Sequence, residues 1–378
     1  MSRKHRVLYH GFAASWLRLT VLTLTTSAMA QHFVQQNLVS DIAAPPGGAP
    51  QILDPDLVNP WGVAYSTTGP FWVANQGTGT ATVYSVDGTT GAISKSPLRI
   101  TIPGSLAGQP NGPTGLVSNP NSYLFPVTYS DTSYGISLFI FSALNGTISG
   151  WNPNVPRPVP STTAVTMVTA GPANVYTGLA FGIETTTPIL YAANPARALV
   201  QVIYPNWGLF RVGGSFFDPN LPLGDVPFNV VNIGGNLFVT YAGPVGVVNI
   251  FDTDGNFIKR FATGGTLQNP WGVAVAPAQF GRFKNVILIG NFNHSLSFPN
   301  GSGWISAFDA DTGDFRGLLE DEGKPIAIDG LHSLVFGNGG NGGIPNVLYF
   351  SAGIGSAPGV NLETHGLFAS LAWQLPRH

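Results

Sequence analysis

The chain has 378 residues, of which 48 are glycine and 31 proline, while 9% are charged and 44% hydrophobic. Disordered chains are poor in apolar residues and rich in charge, so disorder is excluded as the main state, and glycines without a three-residue period exclude a collagen-like rod. There is no cysteine, so a large core and not a disulfide framework must hold the fold.

Residues 1–30 read as a secretory leader. Arg3, Lys4 and Arg6 form a basic segment, Leu19–Ser27 supplies the apolar stretch, and Ala28-Met29-Ala30 gives a small-x-small cleavage site before Gln31. The apolar stretch is too short to span a bilayer, and no later segment reaches the roughly 20 apolar residues of a membrane helix. Residues 31–378 carry 12 Lys and Arg against 18 Asp and Glu, a balance of −6. Nucleic acid and anionic membrane are therefore not expected partners. The expectation is a secreted protein, extracellular or periplasmic, with residues 31–378 forming one domain.

The next segment, Phe33–Asp41, reads as a strand standing before a set of repeats. Asn59-Pro60-Trp61-Gly62-Val63-Ala64 opens the first repeat and returns as Asn269-Pro270-Trp271-Gly272-Val273-Ala274 in the fifth. Each copy is followed by an apolar run ending in asparagine, Trp72–Asn75 and Leu288–Asn291, and then by an alternating strand running into an Asp-containing turn, Val83–Gly88 and Ile305–Asp309. Weaker copies open at Thr114, Thr177, Phe228 and His332. In the second repeat, Phe125–Thr128 and Leu138–Phe141 take the second and third strand slots. The mean spacing of about 54 residues suits a four-stranded propeller blade. The last repeat, opening at His332 and running through Leu371, has only three strands, so Phe33–Asp41 is expected to supply its fourth and close the ring. The fold class is all-β: a six-bladed β-propeller closed by an N-terminal strand. A closed ring needs no partner to cover its edges, which makes a monomer the default.

The Asn-Pro-Trp-Gly-Val-Ala opening, the strand ending Val-Ala-Asn and the turn Phe251-Asp252-Thr253-Asp254-Gly255 resemble NHL-type six-bladed propellers. The order of segments is similar to that of an uncharacterised family of secreted propeller-like proteins. Its marks here are Gly290-Asn291-Phe292, Leu334–Gly340, Leu348–Gly353 and Glu363–Phe368. Some bacterial members carry an exosortase-type sorting tail; none is read here, so surface sorting is not carried over. The resemblance implies the fold and brings no activity with it.

Several motifs carry no chemistry. There is no Gly-x-Ser-x-Gly elbow, His-Glu-x-x-His pair or Walker loop. Gly337-Asn338-Gly339-Gly340-Asn341-Gly342 matches a dinucleotide fingerprint on paper but lies between two strands with no helix after it, so it reads as a turn. Asp252–Gly255 and Asp309–Gly313 resemble the start of a calcium loop but lack its distal glutamate, and read as hairpin turns.

In a propeller the openings of the first strands and the second-to-third-strand connections share one face. That places Trp61, Thr114, Thr177, Phe228, Trp271 and His332 around one channel mouth, with Asn75, Asn194 and Asn291 on the same side. Trp61 and Trp271 could stack on a flat ligand with the three asparagines as polar contacts; equally, the indoles could be packed away and the asparagines cap turns. His294, His332 and His365, joined by Glu363, fall on that face in the fifth and sixth repeats, a candidate set for a divalent metal or for acid–base work. The functional expectation is a binding protein for a small molecule, glycan or extracellular protein. The alternative is a metal-assisted hydrolase or lactonase at the channel mouth.

Overall fold

Among the described residues six blades, each built on four antiparallel strands, run outward from a first strand on a central axis, with a fifth, parallel strand added to one of them and two small hairpins besides. The structure is a computed structural model and describes residues 32–104, 112–130, 133–184, 186–292, 303–355 and 363–374; the expected leader lies outside the described residues. Blade 1 consists of Pro60–Ala64, Phe71–Asn75, Thr80–Val86 and Ile93–Thr101. Blade 3 runs Gly178–Glu184, Thr187–Asn194, Leu199–Ile203 and Leu209–Phe210. Blade 4 runs Val226–Ile233, Asn236–Ala242, Val247–Phe251 and Phe257–Thr263. Blade 5 runs Pro270–Val275, Val286–Asn291, Ile305–Asp309 and Phe315–Leu318. Second and third strands are buried almost throughout, as inner strands flanked by neighbouring blades must be. The fourth strands alternate or are exposed.

Blade 2 departs from the sequence expectation. Its strands are Pro113–Ser118, Phe139–Ala143, Thr147–Trp151 and Val165–Thr169. Pro126–Tyr129, expected within the second strand, instead pairs with Ser133–Ile136 in a separate hairpin. Phe139–Ala143 and Thr147–Trp151 are buried at every position, whereas the hairpin exposes Tyr129 and Tyr134. Only segments that can be buried at every position sit between two blades, and the hairpin is an insertion in an unusually long repeat.

Blade 6 confirms the ring closure. Leu331–Phe336, Leu348–Ile354 and His365–Trp373 are completed by Phe33–Ser40, paired antiparallel from Phe33 opposite Trp373 to Ser40 opposite Leu367. The two-residue strand Ile52–Leu53 adds in parallel outside it, so the N-terminal strand is fourth and not outermost. Side chains pin both ends of the seam. Asp41 accepts from the Gly366 amide at 2.8 Å and holds His365 Nδ1 at 2.6 Å, while His32 Nδ1 lies 2.6 Å from Asp321.

The glycine-rich segment is the turn it was read as, and its composition has a reason. Asn338 donates to the Gly69 carbonyl at 2.8 Å, and Val86 of blade 1 exchanges backbone hydrogen bonds with Asn341 and Gly343. A side chain on Gly340 would meet Thr68 backbone at 2.6 Å. The Asp turns are hairpins as well: Asp309 Oδ1 accepts from the amides of Asp311 and Thr312, and Asp252 Oδ1 from that of Asn256. Among the described residues no helix is long and apolar enough to cross a membrane.

Deleting residues 32–53 is expected to strip the fourth strand from blade 6 and open two sheet edges. The truncated chain should aggregate or melt well below the full one; size-exclusion chromatography with a thermal melt checks this, and an unchanged monomer with an unchanged Tm would count against closure as the source of stability.

Candidate functional site: the central channel

The motif Asn-Pro-Trp-Gly builds the channel mouth by backbone means. Asn59 and Asn269 take left-handed conformations, φ 45° and 48°, which asparagine tolerates better than most residues. Their carbonyls accept from the amides of Gln76 and Phe292 at 3.0 and 2.9 Å, so each first strand starts beside the end of its own second strand. Pro60 stands opposite Asn75 and Pro270 opposite Asn291. In blades 1 and 5 the opening of the first strand and the end of the second therefore lie together.

What occupies that mouth is an aromatic cluster. Trp61, Trp271 and Phe292 pack together with Phe228 against them. The two indoles meet edge to face, centroids 6.1 Å apart, a favoured arrangement for two aromatic quadrupoles. The His332 imidazole lies on Trp61 at 4.1 Å and on Phe292 at 4.7 Å, in nearly parallel planes. Trp271 Nε1 reaches from blade 5 to donate to the Thr177 carbonyl of blade 3 at 2.9 Å. At 5% and 4% exposure, Trp61 and Trp271 present no face to solvent. The expectation that they stack on a ligand is corrected: the rings spend their faces on one another and close the mouth.

The asparagines are likewise engaged in holding turns. Asn75 Nδ2 donates to the hydroxyls of Thr80 and Thr82; Asn194 takes the Val175 amide and donates to Asn174; Asn291 takes the Gln268 amide and donates to the Trp304 carbonyl. Of the ligand set proposed from sequence, these three fill the structural alternative.

The expected metal group is not assembled among the described residues. His294 lies outside them. His332 is fully buried, with Nδ1 on the Pro60 carbonyl at 3.1 Å, and His365 turns to Asp41 on the ring seam. Glu363 sits at φ 68° with its amide on the Gly353 carbonyl. Among the described residues, no three His, Asp or Glu side chains stand where they could hold one ion. A shared face does not bring side chains together: His332 packs at the axis against Trp61 and Phe292, whereas His365 pairs with Asp41 on the ring seam. Burial lowers the His332 pKa to about 3, against the smaller opposing effect of its hydrogen bond to Pro60. A neutral imidazole with so low a pKa is a poor general base near pH 7.

Beyond the aromatic cluster the channel widens into a cavity of about 260 Å³, lined by the first strands of all six blades. Val117, Phe181, Asn232 and Val335 mark its far reach, and Trp271 stands at its inner end. No charged residue lines it. Its polar side chains mostly join blades: Asn229 donates to the Trp271 carbonyl and Asn232 to that of Phe181, while Ser333 Oγ accepts from the Val63 amide. Sequence reasoning missed this cavity and the part played by Phe292, although Phe292 directly follows Asn291 on the mouth face and could have been found there.

The chain is 31% identical over 298 residues to an uncharacterised protein of Acanthamoeba polyphaga mimivirus, covering 74% of this chain and 69% of the relative. A second uncharacterised protein of that virus is 30% identical over 300 residues, covering 74% of each. No protein-family model matches. Among solved structures, the PQQ-bound aldose sugar dehydrogenase of Streptomyces coelicolor superposes with a TM-score of 0.50 at 16% identity, over 92% of this chain and 100% of that one. At that identity the likeness concerns the propeller fold.

Two outcomes are expected at the mouth. Trp61→Ala should cost about 3–5 kcal/mol of stability, as large core truncations do, measured by denaturant unfolding. The neutral, buried His332 should also make the protein acid-sensitive. Below the unfolded-state value of about 6.5 the unfolded chain takes up a proton that the folded chain refuses until about pH 3. Stability from this residue is therefore complete above pH 6.5 and falls towards pH 3, with a slope of at most about 1.4 kcal/mol per pH unit. His332→Phe should flatten the wild-type slope over that window by this amount.

Proposed function

The chain belongs to the same family as the two uncharacterised mimivirus proteins, and on that premise we propose that it is a binding module that takes a small, uncharged molecule into the central channel from the face opposite the aromatic cluster. The observation carrying this reading is the 260 Å³ cavity with six-fold contributed walls and no charged lining. A concave, largely apolar site with a few fixed polar groups is the usual form of a small-molecule site. Lacking charge, these walls favour a neutral ligand, since an ion would lose its hydration without a counter-charge. Glycans and proteins, the other ligand classes open from sequence, are too large to enter and would have to use the rim.

The hydrolase or lactonase reading has less behind it. His332 is sealed in the cluster and held neutral, and the described His, Asp and Glu side chains form no ligand set at the mouth. We further propose that the protein works outside the cytoplasm, extracellular or periplasmic, which the leader-like residues 1–30 support. Mass spectrometry of the protein exported by its host should find Gln31 at or near the mature N-terminus.

Filling the channel tests the main reading. Val117→Phe places a ring in the cavity and should lower the affinity of a hit from a neutral small-molecule thermal-shift screen at least tenfold, while the variant keeps a cooperative melt. A hit whose affinity is indifferent to Val117→Phe would place the site elsewhere.

A further inference from the structure

A second concavity, of about 760 Å³, lies on the flank of blade 5 between its first-to-second-strand connection and its third-to-fourth-strand turn. Among residues 31–378 there are only 12 lysines and arginines, yet Arg282, Lys284 and Arg316 all line this groove, against one carboxylate, Asp309. The lining thus carries +2 on a chain segment whose balance is −6.

The three cations are not equivalent. Arg316 is already committed, with Nη2 2.6 Å from Asp309. Asp309 is itself fixed by the amides of Asp311 and Thr312. Nearby Asp314 accepts from the Thr312 hydroxyl, and Asp311 is reached by Asn285 at 3.4 Å. Arg282 and Lys284 are exposed and form no ion pair with any described carboxylate. Arg282 is nevertheless placed. Its guanidinium lies 5.1 Å from the Phe283 ring centroid, a cation–π contact, and Nη2 would stand 3.2 Å from a side chain at Gly317, a position that has none. A guanidinium is a planar fork of N–H donors that matches sulfate and carboxylate oxygens, and this one is not engaged by a described carboxylate. The same lining includes apolar residues: Val275, 47% exposed, with Ala276 and Ala278.

We propose that this groove binds an acidic polysaccharide, with Arg282 and Lys284 on its sulfate or carboxylate groups and a sugar ring on Val275. The groove far exceeds the needs of a free inorganic anion, and a lining with both apolar residues and cations suits the alternating character of a saccharide, whose ring faces are C–H rich and whose substituents are charged. A nucleic acid would be expected to want a longer basic track, and the acidic balance of the chain opposes one. This site is separate from the channel and does not depend on the channel being a binding site.

The test uses the full mature chain and biolayer interferometry on immobilised heparin, alginate, dextran and single-stranded DNA at several salt concentrations. Heparin carries sulfate groups and alginate only carboxylates, so these two arms identify the acidic group. Expected are binding to one or both, none to neutral dextran, and weakening as salt rises. The double variant Arg282→Ala/Lys284→Ala should lose at least tenfold in affinity, and Arg197→Ala, an exposed arginine on blade 3, should change little. Circular dichroism melts of both variants verify that they are folded. Equal binding to dextran, preference for DNA, or equal loss in Arg197→Ala and the double variant would overturn the proposal.

Discussion

Everything in this molecule depends on how closely six first strands can approach one axis. The residue after each channel-mouth position decides it. Gly62, Gly115, Gly178 and Gly272 occupy that slot in blades 1, 2, 3 and 5, and a side chain on any of them would meet the next blade at 2.1–2.6 Å. Such contacts are shorter than real Cβ atoms tolerate, so neighbouring blades would have to move apart. The remaining slots, in blades 4 and 6, hold Asn229 and Ser333, which bridge to the next blade by hydrogen bonds instead. Four close approaches and two polar bridges set the radius of the ring, and the radius sets the width of the channel.

At that radius the mouth is narrow enough for four aromatic rings and an imidazole to fill it. The filling is closely packed yet contains polar groups. Trp61 Nε1, His332 Nε2 and Thr177 Oγ1 are buried without a hydrogen-bond partner among the described residues, each costing about 1–3 kcal/mol. Trp61 and His332 carry a donor and an acceptor of opposite kind, but their rings are stacked, and in-plane groups on stacked rings point past each other. Aromatic burial and the hydrogen bonds of Trp271 and of His332 Nδ1 offset that cost. A seal of this kind assigns the two faces different roles. One is closed by packing; the cavity opens beyond it.

The fold was legible in the sequence because its causes are local and repeated. An Asn-Pro-Trp-Gly opening fixes a left-handed residue and a close approach within four positions, and it occurs twice word for word. The missing fourth strand of the last repeat pointed to Phe33–Asp41, and the seam formed there. The slip in blade 2 came from treating apolar content as sufficient: Phe125–Thr128 looks like a strand, but inner position in a blade needs both faces apolar, which Phe139–Ala143 supplies. The site was less legible. Face assignment gathers residues to a rim of the molecule, whereas ligation or stacking depends on radial direction, which strand order does not encode. His332 and His365 share a face, yet one points into the axis and the other pairs with Asp41 at the periphery.

The same distinction between axis and periphery governs where charge resides. Among the described residues none that lines the channel is charged, as suits walls built from converging, largely apolar first strands where a charge would lose much of its hydration. Charge is pushed to the outer strands and turns, where much of it has structural work: Asp54 accepts from Tyr84 and pairs with Lys95, Asp218 pairs with Arg260, and Asp41 with His365. On a chain this poor in cations, Lys95, Arg99, Arg260 and Arg316 are each committed to a carboxylate. Arg282, placed against Phe283, and the exposed Lys284 line one flank and form no ion pair with a described carboxylate. That residual charge is therefore a property of the site and not of a generally basic surface, and long-range attraction for an anion would be focused there against an otherwise acidic background.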